Sequence, residues 1–186
     1  LALSIAPARS GEIPDDPAKV VPVAAGTALP ALALRTVDGK AYAIDPQSLD
    51  APLVLVFYRG GWCPYCNRHI GALKSIDADL RALGYRLLFV SPDRPEVLYE
   101  SLKEPDVTFT LLSDASMSAA RALGIAFRVD DPTHEKYRSF GIDLDAASGY
   151  DHHQRPGAAR GLGRGRLSPA ALLEQARRAS ASPAGR

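Results

Sequence analysis

The sequence predicts an α/β domain, a central and mostly parallel sheet flanked by helices, and three observations predict it. Leu53 to Tyr58 is an unbroken apolar run of strand length, rich in β-branched and aromatic residues, which suits a strand covered on both faces. From Pro64 onward the apolar residues Ile70, Leu73, Ile76, Leu80 and Leu83 recur at three- and four-residue steps, the period of a helix. Arg86 to Val90 is then a second buried-strand run, so strand, helix and strand form one βαβ unit with a right-handed crossover.

The remaining elements follow in chain order. Residues 10 to 30 are rich in Pro, Ala and Gly without a period and read as an extended lead-in. Leu32 to Val37 and Ala41 to Ile44 flank Asp38-Gly39, a two-residue turn signal, and predict a β-hairpin. Asp45 to Pro52 is a loop. Gly84 suits the C-cap of the long helix. Pro95 to Lys103 predicts a short helix and Phe109 to Leu112 a third strand. Asp114 can cap a helix carrying Ala119, Ala120 and Leu123, with Gly124 as its stop. Ile125 to Val129 is a brief strand or turn, and Asp130 to Tyr150 shows no period. Ser168-Pro169 starts a last helix through Ala176, with Ser as N-cap and Pro in the first turn.

Composition narrows the function. The chain has 186 residues with 22 basic and 21 acidic, a net charge of +1, which gives no electrostatic case for a nucleic-acid or anionic-membrane partner. No apolar run is long enough to span a bilayer. The only two cysteines, Cys63 and Cys66, form a CxxC pair, a pattern of redox or metal use rather than of a disulfide-stapled scaffold. Leu1 to Ala8 reads equally as the tail of a secretory signal or as a disordered leader, so the expected location is cytoplasmic, or periplasmic in the first case.

The dithiol sits where strand turns into helix. Such a helix start offers unpaired N–H groups and partial positive charge, which stabilise a thiolate, the reactive form of sulfur. Cys63 is the better placed of the two, and Pro64 fits the first helical position. Arg59 and Arg68 add positive charge nearby in sequence. The site lies at the carboxyl edge of the predicted sheet, where open α/β sheets carry their sites.

With these residues in place, the chain resembles the peroxiredoxin-like branch of the thioredoxin-like superfamily, the redoxin or alkyl hydroperoxide reductase/thiol-specific antioxidant family. The resemblance runs from about Ala25 to Tyr150 and rests on three stretches. They are Val54 to Cys66 (VLVFYRGGWCPYC), Phe89-Val90-Ser91-Pro92, and Leu112-Ser113-Asp114 ahead of the Ala-rich helix ending Leu123-Gly124-Ile125. It implies a thioredoxin-like fold and thiol-dependent reduction of peroxides or disulfides, with an external thiol reductant such as a thioredoxin-type protein and no cofactor. In peroxiredoxins the attacking cysteine stands three residues after a threonine and seven after a proline. Aligned on Phe57-Tyr58 that cysteine is Cys66, with Cys63 in the threonine's place and Arg59 in the proline's. In thioredoxins the attacking sulfur is the first of the CxxC, here Cys63. The resemblance thus implies catalysis by Cys63 and Cys66 and leaves open which attacks first.

The family leads one to expect a proline-bearing loop facing the dithiol and then a C-terminal β-hairpin beside the central strand. Residues 155 to 166 are instead Gly/Arg-rich without strand alternation, and Pro156 is the only candidate for the facing proline. The hairpin therefore reads as degraded or missing, in the manner of an interrupted or frame-shifted copy, which leaves the central strand with an unpaired edge. The predicted organisation is an extension over 1–24, a redoxin domain over 25–150, an irregular segment over 151–167 and a helix and tail over 168–186.

Two other classes fit the same residues. The cysteines form half of a zinc site if His69 and one of His152 or His153 complete it. A non-catalytic interaction domain fits if the tail defect is real. Covalent haem attachment is excluded because Asn67, not His, follows the CxxC.

Overall fold

The chain was described in a computed structural model over residues 13–101, 110–148, 157–158 and 168–181. After a short 3₁₀ turn at Pro17–Lys19 come β1 (Leu32–Thr36), β2 (Ala41–Ile44) and β3 (Leu53–Phe57), then α1 (Pro64–Lys74) and α2 (Asp77–Ala82). β4 (Arg86–Ser91), α3 (Pro95–Ser101), β5 (Thr110–Ser113), α4 (Ser118–Ala122) and β6 (Ala126–Phe127) follow. The last elements are α5 (Asp131–Ser139), α6 (Leu144–Ser148), β7 (Gly157–Ala158) and α7 (Pro169–Ala181).

Five strands pair in the order β2-β1-β5-β4-β3. β3, β4 and β5 are mutually parallel, and β1 joins antiparallel to β5 and to β2. β4 is the best-covered strand because its residues alternate between two cores. Leu88 and Val90 face a core built with Leu32, Leu34, Ile44, Leu112 and the α4 residues Ala119 and Ala120. Leu87 and Phe89 face a second core with Ile70, Leu73 and Leu80 of the dithiol helices and Leu173 and Ala176 of α7. A fully buried leucine such as Leu73 or Leu80 contributes roughly 2–3 kcal/mol of transfer free energy.

Three expectations are corrected. The long helix from Pro64 to Leu83 is two helices: Ser75 caps α1 with its hydroxyl on the Ala72 carbonyl at 2.8 Å, and Ile76 leaves helical geometry at φ −110°, ψ 2°. A serine hydroxyl that competes for the backbone carbonyls favours this break, and Asp77 and Asp79 sit at the favourable N-terminal turn of α2. The hairpin turn has three residues rather than two. Gly39 N–H bonds the Thr36 carbonyl at 2.9 Å, and Gly39 at φ +78° supplies the left-handed bulge position before Lys40 pairs with Thr36. Residues 131–148, read as without period, hold α5 and α6.

Other expectations hold with shifted ends. Asp114 does cap α4, through space: its carboxylate accepts from Ala119 N–H at 3.1 Å and Ala120 N–H at 2.8 Å. Ser168 caps α7, which runs five residues beyond Ala176. The central strand of the sequence reading, β3, ends the sheet, and among the described residues no strand lies on its far side. Gly157 and Ala158, in the Gly/Arg-rich segment, pair with β6 instead. The leader at Leu1 to Ala8, Pro156, and His152 and His153 lie outside the described residues.

Candidate active site

Between the end of β3 and the start of α1 the chain must turn within six residues and leave Cys63 at the helix entrance. Gly60 makes this possible at φ +145°, where a Cβ would stand 2.7 Å from Asp93 Oδ1 and closer still to Trp62 Nε1. Asp93 sits just beyond β4 and accepts the Gly61 N–H at 2.8 Å. Its own backbone is fixed by Ser91 Oγ on its N–H and by Ser113 Oγ donating to its carbonyl. Asn67, one turn into α1, donates to the Gly61 carbonyl at 2.8 Å. The loop is thereby tied to the sheet on one side and to the helix on the other.

Cys63 is the N-cap of α1, with Pro64 in the first turn as expected. Its sulfur accepts from Cys66 N–H at 3.3 Å, from the Cys66 thiol at 2.7 Å and from Arg59 Nη2 at 3.0 Å. Both cysteines are free thiols; Cys63 is fully buried and Cys66 half-buried. Burial opposes ionisation of Cys63, but the Cys66 thiol and amide together with Arg59 outweigh it and hold the Cys63 thiol below its ordinary value. Burial pushes the Cys66 thiol up, and its bond to the Cys63 sulfur pushes the same way. Of the two sulfurs, Cys63 is therefore the one that gives up its proton first, with the Cys66 thiol donating to it.

Arg59 is itself held. Its Nη1 donates to Tyr137 Oη at 2.7 Å, and its guanidinium lies 5.4 Å from the Trp62 ring centroid. Tyr137, from α5, meets Trp62 edge-on at 5.2 Å and 67°. These three side chains form a cap associated with the dithiol. Of the two arginines singled out in the sequence, Arg59 reaches sulfur and Arg68 is exposed. Behind the loop, burial pushes the Asp93 carboxyl up to about 6, with the Gly61 and Ser91 hydrogen bonds opposing. Burial likewise raises the Tyr58 phenol.

Sequence reasoning missed Tyr137 and Asp93. Tyr137 lies 78 residues from Arg59, and Asp93 lies 32 from Gly61, so no local pattern links them. The Ser91-Pro92-Asp93 turn at a strand end was the one local signal for Asp93. His69 Nε2 is buried without a partner, yet among the described residues no group of three His, Cys, Asp or Glu side chains is placed to hold a metal.

Comparisons with known proteins bear on the fold and the family. The inferred peroxiredoxin bcp of Haemophilus influenzae is 27% identical over 104 residues, covering 56% of this chain; the chain spans 66% of that relative, just under two thirds. A solved structure of peroxiredoxin Q from Xanthomonas campestris aligns with TM-score 0.56 and 14% identity over 80% of this chain and 91% of that one. An inferred thioredoxin reductase from Burkholderia cenocepacia aligns with TM-score 0.59 and 18% identity over 83% and 98%. At such identities the two structures establish the thioredoxin-like fold alone. The AhpC/TSA family model matches residues 25–145, well over half the chain and the stretch from the hairpin to the start of α6, and the protein belongs to that family.

Proposed function

We propose that this chain is a thiol-dependent peroxidase working through Cys63 and Cys66. The observation that carries the reading is the sulfur pair itself: Cys63 Sγ accepts from three donors, Arg59 Nη2, the Cys66 N–H and the Cys66 thiol, whose sulfur lies 2.7 Å away. Cys63 thiolate attacks the nearer peroxide oxygen; the O–O bond breaks, an S–O bond forms, and the leaving alkoxide or hydroxide takes a proton. Cys66 then attacks the Cys63 sulfenic acid, releasing water and closing a Cys63–Cys66 disulfide. An external dithiol, of the thioredoxin type, supplies the two electrons that reopen it.

Burial favours a small peroxide over a protein disulfide as oxidant. Cys63 is fully covered, so a two-oxygen substrate needs only a small opening beside Arg59 and Trp62, whereas a protein disulfide must bring a whole chain to the same atom. Reduction runs by the other sulfur. The half-buried Cys66 is the accessible target for the external thiolate, and Cys63 is the better leaving group because its thiolate is the stabilised one.

Serine variants test both steps. Cys63→Ser should abolish peroxide consumption, while Cys66→Ser should allow one turnover and leave a sulfenic acid on Cys63 that a dimedone-type probe labels. Insulin reduction by the wild-type protein, with a Cys66→Ser variant that is trapped as a Cys63 mixed disulfide with insulin and never forms the sulfenic acid, would replace this reading with that of a disulfide reductase. Labelling of Cys66 in the Cys63→Ser protein would reverse the order of attack.

A further inference from the structure

We propose that Tyr137 is a positioning residue for the dithiol, holding the Arg59 guanidinium in the one orientation that delivers its second N–H to the Cys63 sulfur. The inference rests on the assignment of the thiolate to Cys63. An arginine side chain is long and loses considerable rotamer freedom when it is fixed, so an unsupported guanidinium spreads over many positions and contacts the sulfur only part of the time. Here both ends of the fork are used. Nη1 is bound by Tyr137 Oη at 2.7 Å and Nη2 by Cys63 Sγ at 3.0 Å, so that the planar guanidinium transmits one contact into the other.

The phenol is fixed in turn. Its ring meets Trp62 edge-on at 5.2 Å, and Trp62 also receives the guanidinium against its ring at 5.4 Å. Tyr137 lies on α5, which is started by Asp130 accepting the Thr133 N–H at 3.0 Å and packs with α6. A helix with no sulfur of its own thus sets the electrostatics of the site. The ionisable groups around this cluster are Cys66 on α1, Arg59 from the end of β3 and Tyr137 from α5, with Asp93 and Tyr58 behind the loop.

The test is a pH titration of the reduced protein, followed by thiolate ultraviolet absorbance, by the rate of alkylation and by the fluorescence of Trp62, the chain's single tryptophan. Tyr137→Phe keeps the ring on Trp62 and removes the acceptor. It should raise the apparent pKa of the first-titrating thiol by about half a unit and slow alkylation at neutral pH about threefold, the size of one modest hydrogen bond. Arg59→Met should raise it at least as far, and Tyr137→Phe should add nothing in the Arg59→Met background. An unshifted titration in Tyr137→Phe, or the same increment with Arg59 absent, overturns the inference. Should thermal melting show that Tyr137→Phe does not fold, Tyr137→His restores a ring with an acceptor nitrogen; a wild-type titration there supports the role and a raised one overturns it. Cys63→Ser separates the two levels of the argument. Loss of the first titration in that variant upholds the thiolate assignment, and its persistence overturns the assignment together with the inference built on it.

Discussion

Gly60 is the residue on which the approach to sulfur turns. Its φ of +145° lies where a side chain is rarely tolerated, and the space a Cβ would fill is already taken by Trp62 Nε1 and Asp93 Oδ1. Gly60→Ala therefore strains the backbone and displaces either the carboxylate that holds Gly61 or the ring that supports Arg59. The expected loss is about 2 kcal/mol of folding stability, more than an exposed glycine replacement carries, because strain and steric overlap add. Urea unfolding of Gly60→Ala against wild type measures it, and a change under about 0.5 kcal/mol would show that the loop relaxes freely. Residues of this kind were partly legible beforehand. Cys63 and Pro64 announced a helix start because cap and first-turn preferences are local. Arg59 and Tyr137 did not announce each other, because a bond across 78 residues leaves no trace in local spacing.

At the scale of elements, Asp93 joins the end of β4 to the loop before α1, and that junction titrates. Asp93 is 1% exposed, and its carboxyl is pushed up to about 6 from an ordinary 3.8, chiefly by burial. With the folded value above the unfolded one, the native state holds a proton that the unfolded chain has released between those values. The group's stabilising contribution is complete below the unfolded value and is lost as pH rises through about 6. Two units correspond to roughly 3 kcal/mol at most. Asp93→Asn keeps an oxygen for the Gly61 N–H and carries no charge. It should be the more stable protein at about pH 8, by up to about 3 kcal/mol, with the difference vanishing by about pH 4. Denaturant unfolding of both proteins across that range checks the sign, and a pH-independent difference would remove Asp93 from the account. Comparing the two proteins cancels Asp114, which is raised to about 6 by burial in the same way.

Helix boundaries show the limit of periodicity at this scale. Ile70, Leu73, Ile76 and Leu80 continue one apolar stripe across the break between α1 and α2, since the stripe records burial against the sheet and not hydrogen bonding. α5 has the reverse problem. Among its residues only His134 is fully covered, so there is no apolar face to detect, and its signals were Asp130 as cap and Pro132 in the first turn. The helix that steadies Arg59 was thus the one least visible to a search for hydrophobic period.

Over the whole molecule, the strand that delivers the dithiol is an edge strand of the larger sheet. β3 is half-buried along its full length, whereas the last five residues of β4 are buried, and among the described residues β4 is the sole neighbour of β3. Tyr58 N–H bonds the Val90 carbonyl at 3.0 Å, and Arg86 N–H bonds the Pro52 carbonyl at 3.0 Å. Alternation along a parallel strand then turns the Val54 and Val56 amides toward β4 and the Leu55 and Phe57 amides to the opposite edge. Hydrogen exchange should divide them accordingly: Leu55 and Phe57 should exchange orders of magnitude faster than Val54 and Val56, because they open to water without unfolding of the sheet. Slow exchange at all four positions would mean that the edge is covered in solution by another stretch of this chain or by a second copy. Such an edge is also a template for pairing with a foreign strand, so rapid exchange at Leu55 and Phe57 should be accompanied by aggregation that rises with concentration. The site and this liability share one origin, since the apolar run that drives Cys63 to the sheet's carboxyl edge is the same run whose outer amides are left without a strand among the described residues.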